Sequence, residues 1–168
     1  MALKKTSEIV AVSFEIEEDV ANTFKQNQVN LSLDPLNREV FVVLAVDLDV
    51  GTPSGVPGTT TQSRMSVTST SQTGSVTLAD SACLAKVQLK IVSGAPGDSV
   101  GYTDMHPDSP TAAGLDYIGI IATDNFYVQI KGTNNTGPIG GSGRMWGYRA
   151  RADADIYAAL VQSEVLSR

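Results

Sequence analysis

The single histidine of this chain, His106, lies in a stretch reading YTDMHPDSP, where Asp104, His106 and Asp108 fall at alternate positions. In an extended loop that spacing turns three ligating side chains the same way, a set chemically able to hold a divalent cation. Pro107 and Pro110 point instead to an exposed loop tip, and no ligand motif surrounds the three residues. Asp47 and Asp49 form a second acidic pair, two residues apart at the end of an apolar segment. With loop carbonyls they could bind calcium, or raise one another's pKa. Acids beside a Gly/Pro loop are ordinarily polar strand termini, so the expectation for both groups is no metal, and the sequence leaves the question open.

Nucleophilic chemistry has less to work with. Cys83 is the only cysteine, which excludes an intramolecular disulfide and a cysteine-based zinc site. It stands in an apolar alternation and is expected to be a buried, inert thiol. Around Ser142 the Gly-x-Ser-x-Gly elbow fails, because Arg144 occupies the closing position. The run GPIGGSGR carries no lysine and no following helix, so it is not a phosphate cradle. With one histidine and no base–nucleophile set, the expectation is a protein that is no enzyme and needs no cofactor.

One stretch is richer in binding chemistry. Residues 142–160, SGRMWGYRARADADIYAAL, hold the only tryptophan and three arginines. Arg144, Trp146, Tyr148, Arg149 and Arg151 would suit single-stranded nucleic acid through stacking and phosphate contacts. They would equally suit a protein interface, where Arg and Trp are enriched. The net charge of −6 and pI of about 4.6 argue against the first use, since phosphate binding leaves a basic footprint. Lys4 and Lys5 are too few for a genome-binding arm. The residues expected at a subunit interface are therefore Arg144, Trp146, Arg149, Arg151 and Tyr157, and direct nucleic-acid binding is not expected.

The elements that must position these residues follow a period of two. Val10, Val12, Phe14 and Ile16 alternate with Ala11, Ser13 and Glu15, and Val29, Leu31 and Leu33 with Gln28, Asn30 and Ser32. Asp34-Pro35-Leu36-Asn37 supplies a turn. From Glu39 to Val50 one face is read as Val40, Val42, Leu44, Val46 and Leu48, the other as Phe41, Val43 and Ala45. Further strands are expected at 64–70, with Met65 and Val67 inward, at 83–92, with Lys86, Gln88 and Lys90 outward, and at 118–122, 126–131 and 144–151. Thr123-Asp124-Asn125 reads as a tight hairpin turn. Long Gly/Pro-rich connections occupy 51–63, 93–114 and 132–143.

After Ala152 the rhythm becomes helical. Asp153 is a fair N-cap, and Ile156, Ala159, Leu160 and Ser163 share one side with Tyr157, Val161 and Val165 adjacent. The expected architecture is all-β: one domain over 1–168, a sandwich of about eight antiparallel strands of jelly-roll or Greek-key type, with a short C-terminal helix over 152–166. Of the 168 residues, 42% are hydrophobic and only 18% charged, a mix that suits short strands joined by turns. The start MALKKTSEIV has no apolar leader core, and no window is long enough to span a membrane. The expectation is a chain made in the cytoplasm that leaves only by assembling into something larger.

The segments TDNFYVQIKGTNNTG and GRMWGYRARADADIYAALVQSE resemble the C-terminal third of small virion structural proteins of marine viruses. The resemblance implies a jelly-roll capsid subunit or a capsid-decorating one, located in the virion, with itself and other particle proteins as partners and no catalytic residues to carry over. The near absence of a basic arm departs from genome-holding capsid proteins. Two other readings compete: a carbohydrate- or surface-binding sandwich, with Tyr102, Tyr117 and Trp146 as its aromatics, and a filament or tail appendage subunit.

Overall fold

The computed structural model describes residues 3–95, 101–106 and 116–166. Among the described residues ten strands form two antiparallel five-stranded sheets that face one another. The first contains β1 (Leu3–Lys5), β2 (Val10–Glu17), β4 (Glu39–Val50), β8 (Gly119–Ile121) and β10 (Gly140–Ala152). The second contains β3 (Lys25–Asn30), β5 (Thr61–Thr68), β6 (Cys83–Ser93), β7 (Gly101–His106) and β9 (Asn125–Thr133). In the first sheet the order is β2-β10-β4-β8, with β1 continuing the β2 edge along β10; in the second it is β3-β9-β5-β6-β7. From β2 to β5 and again from β7 to β10 successive strands alternate between the sheets, while β5, β6 and β7 are consecutive neighbours in the second; this strand order is that of a jelly roll.

The core lies between the sheets. Phe14 and Ile16 of β2, Phe41, Val43, Val46 and Leu48 of β4, and Met145 of β10 meet Met65, Val67, Val87, Phe126, Val128 and Ile130 from the other sheet. Phe14 and Phe126 touch edge to face with ring centres 5.5 Å apart. Away from the bulge in β4, core-facing residues recur at every second position, so apolar alternation translates into a filled interior.

Several sequence expectations need correction. The alternation of β4 does not run unbroken, because the register with β10 jumps from Trp146–Ala45 to Gly147–Val43 and leaves Leu44 unpaired. That bulge reverses the sidedness of the strand. Val40 and Val42 face outward, beneath the helix, whereas Val46, Leu48 and Val50 face the core with Phe41 and Val43. Thr123-Asp124-Asn125 is no hairpin turn, since β8 pairs with β4 and β9 with β3 and β5. It carries the chain from one sheet to the other. The third glycine-rich connection is shorter than read, as β9 runs to Thr133 and β10 begins at Gly140. The 93–114 segment includes β7, so it is not all loop.

The final helix, α1 (Ala154–Leu166), begins directly after Asp153 and lies on the outer face of the first sheet. Tyr157, Leu160 and Val161, together with Leu3, Ile120 and Tyr148, pack against Val40, Val42, Ala122, Ala150 and Ala152. The packed stripe differs from the expected one: Ile156 is partly exposed and Val165 half exposed, while the acid Glu164 is buried. Its Oε1 and Oε2 accept from the backbone N–H groups of Ala122 and Thr123 at 2.7 and 3.0 Å. No helix among the described residues is long and apolar enough to cross a membrane.

Candidate functional site

The outer face of the first sheet is covered by α1 at one end only. At the other end β2, β10 and β4 lie side by side, and antiparallel register places their outward residues in rows. Arg144 stands between Ser13 and Asp47, and Ser142 between Glu15 and Asp49. Small side chains at Gly140 and Ser142 keep the centre of this surface low. The result is a shallow depression of 590 Å³ lined by Ser13, Glu15, Asp47, Asp49, Arg144 and Trp146. Arg144 holds its guanidinium 5.8 Å from the centre of the Trp146 ring and donates from Nε to Ser13 Oγ at 3.3 Å. A cation over an indole face is an attractive arrangement that also fixes the ring.

Two inward glycines permit this packing beneath the depression. A Cβ on Gly143 would meet the Phe14 ring at 2.5 Å and Leu48 Cδ2 at 2.8 Å. One on Gly147 would strike the Val42 carbonyl oxygen and the Phe41 ring.

The residues expected at an interface do not form one patch. Arg144 and Trp146 share the depression. Arg149 points the other way, into the end of the sandwich, where Nη1 donates to Glu39 Oε2 at 3.0 Å and to the Ser32 carbonyl at 2.9 Å, and Nη2 donates to the Leu31 carbonyl at 2.7 Å. It latches the β3–β4 crossing to the first sheet. Arg151 donates to Asn37 Oδ1 at 3.0 Å on the neighbouring turn. There Asp34 caps the Pro35–Asn37 turn, and the Asn37 side-chain amide holds its carboxyl below the ordinary aspartate range. Tyr157 lies half-buried on the helix, against the sheet. Tyr148, on the same face as Trp146, lies under the helix with Lys5 over its ring at 5.2 Å.

Asp47 and Asp49 do share the outer face, both exposed. Asp104 and His106 belong to β7, opposite Lys90 and Gln88, and Asp108 lies outside the described residues. Among the described residues no group of three or more His, Cys, Asp or Glu side chains converges as a metal site. Cys83 is half-buried at the start of β6, and desolvation pushes its thiol pKa up.

Among the described residues two buried carboxylates escaped the sequence reading. Glu164 is one. The other is Glu18, 3% exposed, whose Oε1 accepts from Gly132 N–H at 2.6 Å and Oε2 from Ile139 N–H at 3.0 Å and Asn22 N–H at 3.3 Å. It ties the end of β2 to the β9–β10 connection. The one local signal for Glu164 was its place three residues after Val161 on the packed side, which a purely apolar criterion passes over.

No family model and no curated protein sequence matches the chain. Solved structures similar to it include one of Desmodium yellow mottle tymovirus, 14% identical over 88% of this chain and 90% of that one, with a TM-score of 0.33. Another is VP1 of Trichodysplasia spinulosa-associated polyomavirus, 9% identical over 90% of this chain and 98% of that one, TM-score 0.34. A third is turnip yellow mosaic virus, 10% identical over 89% and 99%, TM-score 0.26. All three are named as viruses or as a viral protein.

Proposed function

We propose that the chain is a structural subunit of a virion, which self-assembles into a shell and acts through protein–protein contacts. One observation carries the reading: the interior of a complete jelly roll is filled by apolar side chains from both sheets, leaving the outer faces and edges as the working surfaces. Viral capsids, lectins and cupins all use this fold, so the fold alone does not choose among them. The narrower kinship with small virion proteins of marine viruses rests on the two C-terminal segments quoted above. Decoration of a shell built by another protein is a variant of the same proposal.

The carbohydrate reading keeps one observation in its favour, the partly buried Trp146 beside carboxylates and hydroxyls in the depression. Arg144 already occupies part of the ring face that a sugar would stack on. The deciding experiment is electron microscopy and light scattering of the purified full chain at rising concentration. Closed particles or discrete capsomers are the expected outcome. Fibres would favour an appendage subunit. A monomer at every concentration would overturn the shell, and a capsid-lattice binding assay would then test decoration.

A further inference from the structure

Among the described residues, the outer face of the second sheet and the open end of the first carry opposite charge. On the second sheet, Arg64 of β5 stands directly opposite Lys131 of β9 on one side and Gln88 of β6 on the other. Lys86 is opposite Ser66 and Lys90 opposite Gln62, so four cations share this face. Like charges placed directly across a ladder repel. The ion pairs among the described residues engage Lys5, Lys25 and Arg149 instead. Arg64 donates from Nη2 to Gln62 Oε1 at 2.8 Å, and its buried Nε has no hydrogen-bond partner. The neighbouring amides are satisfied among themselves: Gln129 donates to Gln26 Oε1 and Thr68 Oγ1, and accepts from Ser66 Oγ. Asp104, opposite Lys90 on β7, is the one acid that register assigns to this part of the sheet.

The open end of the first sheet is the converse. Glu15 and Glu17 of β2 and Asp47 and Asp49 of β4 are all exposed there, with Arg144 the one cation among their register partners. The core separates the two surfaces, so within one molecule neither can neutralise the other. On the basic face Lys131 is exposed and Arg64, Lys86 and Lys90 partly so, around the buried Gln62, Ser66 and Gln129, while the helix leaves the acidic end uncovered.

We propose that these faces are partners across copies: the Arg64/Lys86/Lys90/Lys131 face of one subunit docks on the Glu15/Glu17/Asp47/Asp49 face of the next. The contact is heterologous, so it propagates around a ring or along an open array according to the rotation between subunits. It deepens the shell reading above, on which it rests for taking a second copy as the partner. Charge complementarity of this kind sets register and encounter rate and weakens with salt.

The test is a charge swap in the full chain. Lys86→Glu with Lys90→Glu makes one variant, and Asp47→Lys with Asp49→Lys the other, each checked for native circular dichroism. The milder pair Lys86→Gln/Lys90→Gln and Asp47→Asn/Asp49→Asn serves if either fails to fold. Each variant alone is expected to self-associate at least about tenfold more weakly than the natural chain, and an equimolar mixture of the two reversed variants to recover most of that loss. Association of the natural chain should fall several-fold between about 50 and about 300 mM salt. If the natural chain assembles and the variants assemble equally well, this contact is wrong while the shell reading stands. A natural chain that never associates overturns both. A third outcome is tight binding of a single-stranded oligonucleotide of about 20 residues that needs Lys86 and Lys90, with self-association indifferent to them. That result would assign the basic face to a polyanion and overturn the proposal.

Discussion

Arg149 of β10 and Glu39 of β4 form a half-buried ion pair, Nη1 to Oε2 at 3.0 Å, at the end of the sandwich. The same guanidinium donates to the carbonyls of Leu31 and Ser32, so one side chain links the first sheet to the chain segment arriving from the second. Truncation to alanine would leave Glu39 without its cation and two carbonyls without donors. Arg149→Ala should therefore cost about 2–3 kcal/mol, or a fall in Tm of roughly 4–10 °C for a chain of this size. Arg149→Lys should recover only part, because an ammonium cannot reproduce the planar fork. Thermal melts of the two variants check the order.

Gly147 has no space for a side chain. A Cβ there would collide with the Val42 carbonyl and with the Phe41 ring at 2.5 Å. The carbonyl belongs to the adjacent strand and cannot move without disturbing the ladder. Gly147→Ala is expected to destabilise by about 3 kcal/mol, while Gly137→Ala, with nothing within 4 Å of the added carbon, should stay within about 0.5 kcal/mol of the natural chain. Urea unfolding of the pair tests the claim, and equal effects would refute it.

These positions also show where sequence reading stops. Period-two patterning located most strands and the inward faces of β2, β5 and β6, because burial on one side of a sheet leaves a local trace. Helix-period patterning likewise located α1, and Asp34 with Pro35 located the turn before β4. The bulge at Leu44 left no such trace. Val40 and Val42 are apolar because the helix covers them, and Val46 and Leu48 because the core does, so the run looked like one continuous face. Thr123-Asp124-Asn125 has hairpin chemistry, but strand pairing is decided by non-local register, which sent β8 and β9 to different sheets. Arg144 and Arg149 do not share a face, for a simpler reason. An odd spacing of five along a strand puts two side chains on opposite faces.

Cys83 offers a chemical test of local burial. Desolvation raises its thiol pKa, with the nearby Asp80 acting in the same direction, so the reactive thiolate is scarce near neutral pH. A disulfide reagent should label the folded protein much more slowly than a free cysteine, with the difference vanishing in denaturant. The folded state holds this proton more tightly than the unfolded state. The thiol therefore lowers stability only as pH rises past the unfolded value of about 8.5, and has no effect below it. Rapid labelling of the folded chain at pH 7 would contradict this account.

Glu164 fixes the helix to the fold through hydrogen bonds more than through apolar contact. A carboxylate in the last turn of a helix sits against the macrodipole, yet here it is 8% exposed and accepts from Ala122 and Thr123. Those amides lie where the chain crosses between sheets, a point where neither sheet supplies them an acceptor. Glu164→Ala would strand both donors and should cost about 2–3 kcal/mol. Glu164→Gln keeps one carbonyl oxygen and should recover a fraction of it. The more specific readout is amide hydrogen exchange. Ala122 and Thr123 should lose protection in Glu164→Ala well before Met65 or Val128 in the core, because the crossing opens locally. If exchange at the crossing were unchanged, the helix would be held by Tyr157, Leu160 and Val161 alone, and the carboxylate would contribute nothing to the join.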